Sequence, residues 1–346
     1  MDLNLNRYSR QVLFHGLGEK GQKMLLESTV VIIGCGALGT VQANTIVRAG
    51  VGKVVIVDRD FVEKSNLQRQ VLFDEQDVKE KLPKAVAAVR KLKKINSEIK
   101  IEAIVTDVNH QNIESLIDEA DLVLDGVDNF ETRYLLDDAC IKTKKPWVYG
   151  ACVGSYGLTM SVVPDVTPCI KCVFEDQPPI GLSPTCDTAG IISPAVNLVA
   201  SFQVSEGIKI LTGQIDALNR GIVTFDLWTN MIKTLKLEDE KPRKSCKCCG
   251  LGIFEYLEAK EKNQTYTTSL CGRNAVQVSK GESFSLDFDE LTQKLNRLCE
   301  VKSNPFIMTF TIDEYEISAF KDGRAIIKGT NEPAIARSVY AKYIGS

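Results

Sequence analysis

The strongest constraint on the fold is a glycine-rich segment between an apolar run and a helical pattern. Residues 29–33 read Thr-Val-Val-Ile-Ile, and the residues that follow include Gly34, Gly36 and Gly39. Apolar spacing over residues 37–50 then predicts a helix. Glycine is needed at such a turn because a side chain would keep the backbone away from a phosphate, while the helix N-terminus supplies N–H donors. The segment therefore predicts a nucleotide-binding unit.

The same pattern of strands and helices continues along the chain. Residues 53–57 predict a second strand that ends on Asp58, whose carboxylate is placed to accept hydrogen bonds from ribose hydroxyls. Further strands are expected at 100–105, at 122–124 and from 147, with helices at 83–95, 110–119 and 130–143. Apolar strands that alternate with helices predict a parallel sheet covered on both faces. The expected fold class is α/β, a doubly wound, mostly parallel sheet.

The second half of the chain is expected to end in a separate small unit. Residues 174–190 are rich in proline and glycine, which predicts a mobile loop. A helix at 194–212 and strands at 221–227 and 231–237 follow. We expect a nucleotide-binding domain at 1–250 and a small α+β unit at 260–346. The unit's expected strands and helices lie near 274–278, 287–300, 306–312, 315–320, 324–328 and 333–343.

Composition excludes several classes of partner. The formal net charge of the 346 residues is −3, which gives no reason to expect nucleic acid or an anionic membrane as partner. The N-terminus lacks the pattern of a secretory signal, and no apolar run is long enough to span a bilayer. Eleven cysteines without a signal peptide indicate a reducing compartment, so we expect a cytoplasmic protein.

Polar side chains follow several of the predicted strands. Because ligands of such sheets bind outside the carboxyl ends of the strands, these groups are expected to face one site. Arginine and lysine there suit a triphosphate, and an acidic residue suits Mg²⁺. The glycine turn and Asp58 alone fit a dinucleotide dehydrogenase equally well. The further polar residues are Asp60, Ser65, Asn66, Arg69, Lys84, Asp128 and Asn129.

Two Cys-x-x-Cys pairs predict a closed metal site. Cys169 and Cys172 form the first pair, and Cys246 and Cys249 form the second. Four thiolates are the ligand set of a structural Zn²⁺ site. Cys248 is a fifth candidate, and we choose Cys246 and Cys249 because they keep the two-residue spacing of the first pair.

The chain resembles the MoeB/ThiF family, the bacterial relatives of ubiquitin-activating enzymes. The resemblance covers about residues 5–250, and similarity to Gram-positive members continues to the C-terminus. Its motifs are specific in combination, although the glycine turn alone is not. They are Arg7-Tyr-Ser-Arg10-Gln11, Gly34–Gly39, Val57-Asp58-Arg59-Asp60, Ser65–Gln70, Lys84, Asp125-Gly-Val-Asp128-Asn129, Leu270–Asn274 and Phe320–Arg324.

The resemblance implies roles for individual residues. Asp58 would hold the ribose of ATP, while Asn66, Arg69 and Lys84 would contact the triphosphate. Asp128 would bind Mg²⁺. Arg10 would reach the γ-phosphate bound to the other subunit of a homodimer. The wide gap between the cysteine pairs also matches the family's zinc site.

Cys186 lies at the end of the Pro/Gly-rich loop. It matches the cysteine that in ThiF-like proteins can join the C-terminus of a carrier protein through an acyl disulfide. An inert loop thiol is the alternative, because reactivity needs a lowered pKa that the sequence does not reveal.

The function implied is ATP-dependent adenylation of the C-terminal glycine carboxylate of a ubiquitin-like sulfur carrier protein. The carrier would be ThiS-like, for thiamine thiazole, or MoaD-like, for molybdopterin. A persulfide donor such as a cysteine desulfurase is a further expected partner. The alternatives are an NAD(P)-dependent oxidoreductase and a non-catalytic dimeric scaffold that binds carriers. For residues 260–346 we expect no catalytic role, and either docking of a partner protein or packing remains open.

Overall fold

The structure is a computed structural model that describes residues 5–175, 186–237, 242–258, 266–270, 274–279 and 286–344, with the backbone alone for residues 186, 187 and 266–270. The chain divides into two compact units, Met1–Ala259 and Lys260–Ser346. Across the described ranges, no helix is both long and apolar enough to cross a membrane.

The first unit contains one large sheet with helices on both faces. Its strands are β1 (Thr29–Ile33), β2 (Lys53–Val57), β3 (Lys100–Ile104), β4 (Leu122–Asp125), β5 (Trp147–Val153), β6 (Tyr156–Val162), β7 (Ile222–Asp226) and β8 (Met231–Leu235). Its α-helices are α1 (Ser9–Val12), α2 (Gly18–Glu27), α3 (Ala37–Ala49), α4 (Glu75–Lys79), α5 (Lys84–Ile95), α6 (Ile113–Ile117), α7 (Phe130–Lys142), α8 (Ile170–Val173), α9 (Cys186–Ala189) and α10 (Ser193–Leu211). Short 3-10 helices lie at Leu5–Tyr8, Lys64–Asn66 and Ile215–Ala217.

The strand order of this sheet is β3-β2-β1-β4-β5-β6-β7-β8. The pairs from β3 to β5 are parallel, and those from β5 to β8 are antiparallel. The expected α/β class with a doubly wound, mostly parallel sheet is therefore confirmed. The order reverses beside β1, so the carboxyl ends of β1, β2 and β4 meet at one edge, where a ligand of such a sheet binds.

Alternating side chains of the central strands fill two separate cores. Val30 and Ile32 of β1 pack in one apolar cluster with residues of α3 and α5. Val31 and Ile33 pack in another with residues of α6 and α7. Successive side chains of a strand point to opposite faces, so a strand with helices on both sides must be apolar at every position. This requirement explains the continuous Val/Ile runs.

One expected loop is partly wrong. Residues 176–185 of the predicted loop lie outside the described residues, but Cys186 begins the short helix α9. After this helix, the N–H of Gly154 donates to the carbonyl of Gly190, and the N–H of Ile192 donates back to Gly154. These bonds attach the end of the segment to the turn between β5 and β6.

The described residues of the second unit form an antiparallel sheet and two helices. Its elements are β9 (Tyr266–Leu270), β10 (Ala275–Ser279), α11 (Phe288–Leu295), β11 (Val301–Ser303), β12 (Ile307–Ile312), β13 (Tyr315–Phe320), β14 (Ala325–Lys328) and α12 (Pro333–Tyr343). The strand order is β11-β12-β13-β14-β10-β9. Gly323 has a φ of 82° in the turn between β13 and β14, as expected for an Asp-Gly hairpin.

Candidate nucleotide site and metal centre

The glycines of the turn between β1 and α3 serve different purposes. Gly34 has a φ of 91°, and a Cβ there would lie 2.5 Å from the carbonyl oxygen of Gly126. A Cβ on Gly39 would lie 1.9 Å from the carbonyl oxygen of Gly34. A Cβ on Gly36 would meet no atom closer than 3.9 Å. Gly34 and Gly39 are therefore required by the backbone itself, whereas Gly36 leaves open space at the N-terminus of α3, where a phosphate can approach.

Asp58 connects the ends of β1 and β2. Its carboxylate accepts hydrogen bonds of 2.6 Å from the backbone N–H groups of Cys35 and Asp60. Burial raises the pKa of Asp58, although the positive charge of Lys84 opposes the shift. The carboxylate therefore holds the glycine turn in place from the position predicted for ribose binding.

Lys84 lies in a charged cluster with Asp60. Its ammonium group is 2.9 Å from the Asp60 carboxylate, and 9% of its side chain is exposed. Burial alone would lower the pKa of Lys84, but Asp60 and Asp58 outweigh it and the pKa is raised. The residue starts α5, and its backbone N–H donates to the Asp60 carbonyl. Lys84 is thus a positively charged side chain that its ion pair with Asp60 fixes at the carboxyl ends of the strands.

The polar residues between β2 and α4 differ in burial and in their hydrogen bonds. Asn66 is buried, and its side-chain oxygen accepts the N–H of Glu63, which closes the local 3-10 turn. Arg69 is partly buried and donates to the backbone carbonyl of the exposed Ser65. Gln70 ends the Ser65–Gln70 motif, and the sequence predicts no individual role for it. It is buried, its Oε1 has no hydrogen-bond partner in the described part of the chain, and its Nε2 is the atom nearest the open space beside Gly36.

The predicted metal-binding Asp128 is exposed just after β4. Asn129 follows it and caps α7, because its side-chain oxygen accepts the N–H of Thr132. The turn before Asp128 is held by a buried ion pair of 3.0 Å between Arg133 and Asp125. Arg133 also donates to the backbone carbonyls of Val127 and Gly150. Sequence reasoning missed the role of Arg133, because a buried arginine partner has no periodic signature.

Arg10 forms no hydrogen bond with the polar residues at the sheet edge. It is exposed on α1 and makes no hydrogen bond or ion pair with any described residue. The segment itself is anchored, since the Tyr8 hydroxyl accepts from Asn96 and Gln11 donates to the carbonyl of Ala49. The anchored backbone therefore presents a free guanidinium group to solvent.

The four predicted zinc ligands do come together. The sulfur atoms of Cys169, Cys172, Cys246 and Cys249 lie within 4.8 Å of one another. Individual S–S separations are 3.9 Å, 3.6 Å and 3.3 Å. A tetrahedral Zn²⁺ with Zn–S bonds of about 2.3 Å needs sulfurs about 3.8 Å apart. Both the donor set and its spacing therefore fit zinc.

Helix α7 holds both cysteine segments. Asp137 accepts from the N–H groups of Ile170 and Lys171 in the first pair. Asp138 forms a buried ion pair of 2.8 Å with Lys171 and accepts the N–H of Tyr256, which follows the second pair. The acidic pair therefore fastens the four-cysteine cluster to the helix that begins beside Asp128.

Two further cysteines occupy different environments. Cys248 is fully buried and forms a second group with Asp137 and Cys169, so it lies beside the four-cysteine cluster. The backbone of Cys186 starts α9, while its side chain lies outside the described atoms. Cys35 and Cys140 are each buried in one of the two cores and act as packing residues.

Comparison with known proteins gives consistent matches. Residues 8–248 match the ThiF family. The chain is 48% identical over 340 residues to the sulfur carrier protein ThiS adenylyltransferase of Bacillus subtilis, covering 98% of this chain and 99% of that protein. It is 35% identical to the SAMP-activating enzyme E1 of Haloferax volcanii, covering 73% and 92%. The crystal structure of E. coli MccB with ATP matches with a TM-score of 0.62 and 25% identity, covering 71% and 75%.

Proposed function

This chain belongs to the ThiF family, and we propose on that basis that it adenylates the C-terminal glycine carboxylate of a ubiquitin-like sulfur carrier protein. The observation that carries the proposal is 48% identity to a ThiS adenylyltransferase over nearly the full length of both chains. These relatives give no support to an oxidoreductase or to a scaffold without activity.

The proposed reaction suits a site built from cations and backbone donors. A carrier carboxylate oxygen bonds to the α-phosphorus of ATP as the bond to the pyrophosphate oxygen breaks. Carboxylates are already nucleophilic at neutral pH, so the main barrier is repulsion between anions, which fixed positive charges relieve. Lys84 and Arg69 would contact the triphosphate, and Asp58 would hold the ribose. Asp128 would hold Mg²⁺, which supplies further positive charge to the phosphates.

Pyrophosphate exchange tests the function directly. Labelled pyrophosphate should enter ATP only when enzyme, Mg²⁺ and an intact carrier are all present. We expect a ThiS-like carrier to support faster exchange than a MoaD-like one, because the chain is 48% identical to a ThiS adenylyltransferase over nearly its full length. A carrier lacking its terminal glycine is the control. Equal exchange with the truncated carrier, or none with either intact carrier, would refute the proposal.

We also propose a homodimer in which Arg10 serves the ATP of the partner subunit. The exposed guanidinium group, free of partners among the described residues, supports this role. Mixing inactive Arg10→Ala with inactive Asp128→Ala should then restore exchange, because one site of each mixed dimer combines an intact Arg10 from one chain with an intact Asp128 from the other. Complementation of equal amounts should approach about one quarter of wild-type activity, given random exchange and independent sites.

Subunit exchange must be shown independently for this test. Differently tagged chains that co-purify after mixing provide that measurement. If tags exchange and activity does not return, Arg10 acts within its own chain or has no part in the reaction.

Cys186 is proposed to act after adenylation, in sulfur transfer. A persulfide on its thiol, supplied by a donor such as a cysteine desulfurase, would attack the acyl adenylate, release AMP and leave an acyl disulfide. Cys186→Ser should therefore keep pyrophosphate exchange within a few-fold of wild type but lose a reductant-sensitive adduct with the carrier. Unchanged thiocarboxylate production by the serine variant would rule out the role.

A further inference from the structure

Arg59 is a cation at the nucleotide edge that has no assigned role. It directly follows Asp58 at the carboxyl end of β2. Its Nη1 lies 2.7 Å from the Asp107 carboxylate, and its Nε lies 3.7 Å from Asp60. The side chain is 29% exposed, so most of it is covered while part remains accessible. Such a guanidinium group is fixed in orientation before any ligand arrives.

A nucleotide bound along the sheet edge would extend from the glycine turn towards Arg59. Phosphates are expected at the turn and the ribose at Asp58. The backbone N–H of Asp58 donates to the carbonyl of Ile104, the last residue of β3. Asp107 lies in the loop after that strand. Because base and phosphates leave the ribose on opposite sides, the base extends away from the turn, towards the ends of β2 and β3, where Arg59 and Asp107 lie.

We propose that Arg59 stacks its guanidinium plane on the base of ATP and that Asp107 holds it in that orientation. A planar, delocalised cation stacks on aromatic faces, which the compact ammonium group of lysine does not do equally well. The proposal rests on the proposed use of ATP.

The surroundings of Arg59 disfavour a contact with phosphate instead. Two carboxylates, Asp107 and Asp60, already neutralise its charge and would repel a phosphate group. Burial alone would lower the pKa of Arg59, but Asp107 and Asp60 raise it overall, with a smaller contribution from Asp128. The two carboxylates contact the edge atoms Nε and Nη1 of the guanidinium group, and the proposed stacking would use its face.

Two ligands separate a base contact from a phosphate contact. ATP carries a base and tripolyphosphate does not, so both should be titrated calorimetrically into the full chain with Mg²⁺ and without carrier. Arg59→Met should weaken ATP binding roughly tenfold, the expected size for a partly desolvated cation–π contact, and leave tripolyphosphate binding unchanged. Arg59→Lys keeps the charge but loses the plane, so it should weaken ATP nearly as much.

Control variants exclude a general loss of structure. Arg90→Met removes another ion-paired arginine, whose partner Glu80 lies 2.6 Å away, and should change neither affinity. Asp107→Asn keeps Arg59 but loosens it and should weaken ATP by less than Arg59→Met does.

Each alternative has its own result. Equal weakening of ATP and tripolyphosphate would make Arg59 a phosphate contact, and wild-type affinity for ATP in Arg59→Lys would overturn stacking. Absence of ATP binding to the wild type would instead refute the proposed function itself.

Discussion

Replacing Asp128 by alanine should abolish carrier-dependent pyrophosphate exchange. Asp128 is the exposed carboxylate after β4, and it is the residue proposed to hold Mg²⁺ against the triphosphate. Without Asp128, the Mg²⁺ would no longer be fixed. The negative charge that moves from the carboxylate through the phosphate to pyrophosphate would then lose its positioned counter-charge. Loss of one preorganised electrostatic contact typically lowers rates by about 10²–10³-fold. We expect a loss at least that large, measured as labelled pyrophosphate incorporated into ATP.

The fold of Asp128→Ala should be intact. The turn that carries Asp128 is held by Arg133 and Asp125, not by Asp128 itself. Thermal melting should therefore match that of wild type. Asp216→Ala removes an aspartate whose side chain is fully exposed and serves as the matched control. Exchange within a few-fold of wild type in a folded Asp128→Ala protein would disprove the assignment.

Loss of the metal from the four-cysteine site should strongly destabilise the first unit. Replacing both Cys169 and Cys172 by serine leaves two sulfur ligands, too few for a closed site. Structural zinc contributes on the order of 10 kcal/mol in small metal-dependent domains. Wild type should contain about one Zn²⁺ per chain by metal analysis, and the double variant should contain almost none and melt at a markedly lower temperature.

Two single variants make this test specific. Cys299→Ser lies in the second unit and is not one of the clustered cysteines, so it should retain zinc and stability. Cys248→Ser should also retain the metal, because the sulfurs that lie mutually within 4.8 Å are those of the other four cysteines. Zinc lost from Cys248→Ser would show that this thiol is a ligand. A zinc-free double variant with unchanged melting would contradict the structural role altogether.

The central strands and the glycine turn could be predicted, because their local sequence pattern matches what burial and close packing require at those positions. β1 and β2 are apolar throughout, since both faces are buried, and glycine is required at the turn by a positive φ and close backbone contacts. The two cysteine pairs could also be recognised, because two-residue spacing is itself the geometry of metal ligation. Each of these signals is contained in a few neighbouring residues.

Other elements could not be predicted from the chain alone. β6 was missed, although its seven residues pair with both β5 and β7. Helix α9 was expected to be part of a loop, because neighbouring prolines and glycines dominated the pattern. Two further features were missed for a different reason: the ion pair of Arg133 with Asp125, and the Gln70 Oε1 atom, which has no partner among the described residues. Their importance arises from burial, which composition does not reveal.

The sequence by itself determined the fold class, the sheet edge where the polar residues gather and the pairing of the four cysteines, because each depends on short-range patterns and on the rule that parallel strands meet at one edge. Only the tertiary structure decided which charges act together. Arg59 meets Asp107 from the neighbouring strand end, and α7 joins the four-cysteine cluster to the turn before Asp128. Such partners are far apart along the chain, and their interaction depends on distance and burial, which exist only after the chain has folded.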